Sequence, residues 1–109
     1  MKWIALTEEQ QLNTIKEQSR ELPVIIFKHS TRCSISMMAK NRLERETAPE
    51  NVLFYFLDLI RYRAVSNKIA EDFQVHHESP QVLLIRNGAC VYEESHNGIS
   101  MDEIVEQAV

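Results

Sequence analysis

The chain predicts an α/β fold, a four-stranded mixed sheet flanked by helices, and three observations point there. Three runs are apolar almost without interruption, "VIIF" at 24–27, "VLFYFL" at 52–57 and "VLLI" at 82–85, as strands covered on both faces should be. Helical spacing of apolar residues fills the gaps, from Met38 to Leu43 after the first run and at Val65, Ile69 and Phe73 after the second. Asn87-Gly88 then stands between "VLLI" and "CVYEE", the strongest short hairpin signal a sequence offers.

Taken in order, the first element is a helix containing Leu12, Ile15 and Ser19, opened by Thr7 with Gln10 in a capping-box pattern. The alternation strand, helix, strand, helix, strand follows. Beyond Asn87-Gly88 a fourth, antiparallel strand should end near Glu94, and a second capping box, Ser100 with Glu103, opens a final helix containing Ile104 and Ala108. Pro23, Pro49 and Pro80 each stand just before an expected strand, where a missing N–H is tolerable.

At 109 residues the chain fits a single domain spanning 1–109, with one modest core. A net charge of -4 argues against an electrostatic grip on nucleic acid or an anionic membrane. No apolar run approaches the roughly 20 residues of a membrane span, and "MKWIALTEEQ" becomes acidic too soon for a signal peptide. The reading is a cytoplasmic protein. Its two cysteines, far apart in sequence, form neither a disulfide framework nor a set of zinc ligands.

Cys33 follows the carboxyl end of the first strand, where open α/β sheets bind ligands, and begins a helix. First-turn N–H groups and the helix dipole favour an anion there, so a thiolate benefits, with Arg32 and His29 as the candidate sources of nearby positive charge. A buried filler cysteine would lie inside "VIIF" or on the apolar helix face; this one lies among Ser30, Thr31, Arg32, Ser34 and Ser36. Three residues on, where a dithiol protein carries its second thiol, stands Ser36. A mixed disulfide on Cys33 therefore has no internal thiol to release it, and a second molecule must resolve it. Ser36 either donates its hydroxyl to the sulfur or satisfies a first-turn group.

The stretch "VIIFKHSTRCSIS", together with "SPQVLLIRNG" and a C-terminal helix, resembles the YtxJ-type monothiol bacilliredoxins over nearly the whole chain. The resemblance implies a thioredoxin-like fold and removal of bacillithiol from S-bacillithiolated client proteins. The thiol acts as a co-substrate, with no bound cofactor and no metal. Of the family's T-x-C-P-I-S pattern, Thr31, Cys33, Ile35 and Ser36 match, while Ser34 replaces the proline. Cys33 is then the catalytic residue, supported by Thr31, Arg32, Ser34 and Ser36. In such a layout Ser79-Pro80 faces the cysteine turn, and a cis peptide there would direct the backbone of residue 79 toward an incoming chain or small thiol.

Cys90 could be imagined as a resolving thiol, but hairpin geometry sets it opposite Ile85, roughly 17 Å from the mouth, too far for a disulfide. His29, His76, His77 and His96 are too scattered for a metal site. His76 and His77 read as loop residues and His29 as a strand-end residue satisfied by backbone, or as a neighbour of Cys33. "KNRLERE" reads as a solvated helix face, and Met37 and Met38 as core filler, one of them bordering the thiol groove. The leading function is a monothiol oxidoreductase. The alternative is a redox-sensing or protein-binding module modified at Cys33 without turnover, and an iron–sulfur carrier lacks the C-G-F-S sequence of monothiol glutaredoxins.

Overall fold

The computed structural model describes residues 1–109. Five strands form one sheet: β1 (Trp3–Ala5), β2 (Val24–His29), β3 (Leu53–Asp58), β4 (Gln81–Arg86) and β5 (Ala89–Ser95), in the order β1-β3-β2-β4-β5. The first three run parallel, and β4 and β5 pair antiparallel, so the sheet is mixed as expected. It has five strands rather than four because Trp3–Ala5 pairs with Phe54–Phe56 at the edge. Three residues with little burial are too short to display a period-two pattern. The indole of Trp3 secures this strand, stacking on Phe27 at 5.6 Å and donating to Glu44 Oε2 at 2.7 Å.

Alternation along the strands divides the core into two layers. Val24 and Ile26 of β2, Tyr55 and Leu57 of β3, and Leu83 and Ile85 of β4 face α1 (Gln11–Gln18) and α3 (Arg63–Phe73), meeting Leu12, Ile15, Val65, Ile69 and Phe73. Ile25, Phe27, Phe54, Val82 and Leu84 face α2 (Ser34–Glu44) and α4 (Met101–Ala108), meeting Ala39, Leu43, Met101 and Ile104. Full burial of each such side chain contributes roughly 1.5–3 kcal/mol, so the sheet is clamped from both sides. The apolar runs lack gaps for this reason.

The helix starts differ. Ser100 caps α4, its hydroxyl accepting from Glu103 N–H at 3.2 Å. Thr7 does not cap α1; Gln11 Oε1 instead accepts from the N–H groups of Thr7 and Glu8 at 2.8 and 3.0 Å, and the helix begins at Gln11. At the hairpin, Asn87 and Gly88 have φ of 51° and 79°, the left-handed pair that a tight two-residue turn requires. Buried Ser19, just past α1, receives both their N–H groups, at 2.8 Å each.

The run 40–46 is more than a solvated face. Arg42 of α2 donates to the carbonyls of His96 and Ile99, and Lys40 pairs with Glu44 at 3.0 Å. Met37 and Met38 are not core filler: they are 45% and 59% exposed, because Ser36, Ala39 and Leu43 take the inward face of α2.

Candidate active site

The sequence places Cys33 where β2 gives way to α2, and the backbone there is closely specified. Cys33 occupies the N-cap in an extended conformation, φ -112° and ψ 121°. Its N–H donates to Ser30 O at 3.2 Å and its carbonyl accepts from Met37 N–H at 3.0 Å. The side chain is half-buried, at the end of a helix whose first N–H groups lack intrahelical partners. Thr31, Arg32 and Ser34 are exposed around it. Ile35, 43% exposed, adds apolar surface on the same first turn as Met37 and Met38.

Ser36 is fully buried and serves the turn rather than the sulfur. Its Oγ accepts from Ser30 N–H at 3.0 Å and is 2.7 Å from His29 Nδ1. Burial, and then the positive charge of Lys40, hold His29 below its ordinary pKa, against Asp58 and the Ser36 contact. The lowered pKa favours the neutral ring, which lends no positive charge to the cysteine turn, and the 2.7 Å contact with Ser36 Oγ is a hydrogen bond whose donor follows from the ring tautomer. His29 is buried between Phe27 and Phe56, ring centroids 5.8 and 5.3 Å away, and its Nδ1 meets the Ser36 side chain. The pair ties the last residue of β2 to the first turn of α2, with the cysteine turn between.

Strand register brings the second expected element to the same end of the sheet. Lys28 pairs with Gln81 across β2 and β4, so Pro80 lies just beyond that pair, level with the start of the cysteine turn. The Ser79-Pro80 peptide is cis, Pro80 O accepts from His96 N–H at 3.1 Å, and Ser79 Oγ is buried without a hydrogen-bond partner.

The sequence reading missed a buried polar cluster beneath this segment. Lys28 and Gln81 are both fully buried. Lys28 Nζ lies 2.7 Å from His77 Nδ1 and donates to Gln81 Oε1 at 3.1 Å. Gln81 Nε2 donates to His76 O and to Glu93 Oε1, at 3.1 and 2.9 Å. Burial lowers the Lys28 pKa to about 8, with Glu78 opposing and Arg63 assisting; burial and the Lys28 charge also lower that of His77. The available signal was periodicity, since Lys28 continues the inward face of Val24 and Ile26.

Cys90 pairs with Ile85, packs against the α1–α3 layer and donates to Tyr92 O at 3.3 Å. Burial raises its pKa. It shares no contact with the turn at Cys33.

A sheet of this order, with one half-buried thiol at a helix start and a proline segment level with it, defines a thioredoxin-fold protein with a single cysteine at that end of the sheet. Solved structures agree. One described as a provisional oxidoreductase with a thioredoxin fold is 28% identical, with TM-score 0.82, over 94% of this chain and 90% of that one. A thioredoxin of Malassezia sympodialis (14% identity, TM-score 0.75, 98% and 88% covered) and spinach chloroplast thioredoxin f (15%, 0.72, 98% and 90%) share the fold. The model of a particular family, described as monothiol bacilliredoxin BrxC, matches residues 4–104. The chain belongs to the monothiol bacilliredoxin family, and its role is a thiol redox one.

Proposed function

We propose that the chain is a monothiol oxidoreductase that removes a low-molecular-weight thiol, bacillithiol, from mixed disulfides on client proteins. The Cys33 thiolate attacks the sulfur of the small thiol; the new disulfide joins Cys33 to that thiol, and the client cysteine leaves as a thiolate. A second molecule of small thiol, as thiolate, then attacks the adduct and leaves with its partner as an oxidised small disulfide, regenerating Cys33.

One observation carries the reading: Cys33 is a half-buried thiol at a helix start, while position 36 is a serine committed to His29 and Ser30. No thiol stands beside the sulfur, so the adduct persists until an outside thiol arrives. Arg32 and the helix start support the thiolate, exposed Thr31 and Ser34 leave it open to approach, and Ser79-Pro80 offers the edge on which the client docks. Two free cysteines suit a reducing compartment, and a cytoplasmic location is part of this proposal.

The test uses a client peptide carrying bacillithiol in a mixed disulfide, with reduced bacillithiol supplied. Catalytic release that Cys33→Ser abolishes and Cys90→Ser leaves within about twofold is the expected result. Stoichiometric transfer to Cys33 without turnover would instead identify a sensor, and transfer retained in Cys33→Ser would remove the assignment.

A further inference from the structure

Lys28 presents a physical problem. It lies in a central strand, fully buried, with two uncharged acceptors as its partners. Burying an ammonium is costly even when it is hydrogen-bonded, and an apolar side chain of similar volume would serve stability as well or better. What the lysine adds is connection. Its partner Gln81 receives Glu78 N–H at 3.4 Å and donates to His76 O, while Lys28 itself engages His77. Residues 76, 77 and 78, which have no regular secondary structure, are thus each tied to one buried pair. The next two residues are Ser79 and Pro80.

We propose that Lys28, acting through Gln81 and His77, is a positioning residue that fixes segment 76–79 and so sets how a client chain docks beside Cys33. The inference rests on the docking role given above to Ser79-Pro80. The charged and titratable groups around the ammonium are His77 and Glu78 from the segment itself and Arg63 from the start of α3, with Glu93 of β5 reached through Gln81. With burial pushing Lys28 to about 8, the protonated form prevails at neutral pH, and its hydrogen bonds are charge-assisted. Lys28 sits on the α1–α3 face of the sheet, whereas α2 covers the other, so its loss changes docking without touching the turn that carries the thiol.

The experiment compares the parent with Lys28→Met and with His77→Ala. The latter alters an exposed residue and keeps the question open to test should Lys28→Met fail to fold. Nitrogen-15 relaxation reads the segment directly. Order parameters of residues 76–79 should fall from about 0.85 toward 0.6 in either variant, while those of β2 and β3 stay as in the parent. With the bacillithiolated peptide, KM should rise about tenfold, the size of one lost charge-assisted hydrogen bond, with kcat and the rate of Cys33 alkylation by iodoacetamide within about twofold. Unchanged order parameters in a folded variant overturn the latch. So does an unchanged KM, or alkylation slowed in step with it. If the parent itself releases no bacillithiol, the functional reading fails, and the relaxation measurement still decides whether Lys28 fixes the segment.

Discussion

Replacing Ser36 by alanine separates a hydroxyl that braces the turn from one that serves the sulfur. In the structure Ser36 Oγ joins Ser30 N–H at 3.0 Å and His29 Nδ1 at 2.7 Å, and alanine leaves both partners in place with nothing to meet. His29 is buried and Ser30 half-buried, so water reaches neither freely. A typical hydrogen bond nets about 1 kcal/mol, and a buried group left unpaired costs about 1–3 kcal/mol; the two losses together amount to about 2–3 kcal/mol. For a chain of this length that lowers Tm by roughly 8–15 °C. The assay is thermal unfolding of the reduced protein by circular dichroism, paired with the alkylation rate of Cys33 well below the transition. The hydroxyl makes no hydrogen bond to the sulfur, so alkylation should change by less than about threefold. A Tm within about 2 °C of the parent, accompanied by alkylation slowed about tenfold, would refute the bracing role and put the hydroxyl on the thiolate.

Two further outcomes are expected. The pKa of His29 is lowered in the fold, chiefly by burial, so the unfolded chain takes up the proton first. The stability this preserves is complete above about pH 6.5 and is lost as pH falls through the folded value. His29→Phe should therefore show a shallower decline of Tm below about pH 6.5 than the parent, and identical slopes would contradict the assignment. The Tyr92 hydroxyl is buried without a partner, and burial together with Glu103, Glu94 and Glu93 pushes its pKa up to about 12. Tyr92→Phe should be neutral or stabilising by up to about 1 kcal/mol in denaturant unfolding, and a loss of that size would reveal a partner for the hydroxyl.

The elements legible in the sequence were those whose signal is local. Continuous apolar runs marked β2, β3 and β4, since a strand covered on both faces has no polar side to display. Asn87-Gly88 marked the hairpin, since only a few residues accept positive φ in succession, and it set Cys90 opposite Ile85. Cys33 was legible as a thiol at a strand-to-helix junction. What was lost depends on contacts between distant residues. Strand β1 exists because Trp3 finds Phe27 and Glu44, and the start of α1 is set by Gln11 reaching back to Thr7 and Glu8. The inward face of α2 is chosen partly by Ser36, a polar residue that no apolar count would place inside.

The costliest omission was two residues long. The apolar run "VIIF" gave Lys28 no role and put His29 only at the strand's end, whereas β2 continues through both and buries both. Consecutive residues of a strand point to opposite faces, so this pair directs one polar group into each layer. His29 goes toward α2 and meets Ser36; Lys28 goes toward the α1–α3 side and meets Gln81 and His77. One contact braces the turn that carries Cys33, and the other braces the segment that leads into Ser79-Pro80. A single polar step at the end of one strand thus connects the two halves of the candidate site through the rigid centre of the sheet. Their relative position is set by the register of β2 with β4, and neither loop has to specify it alone.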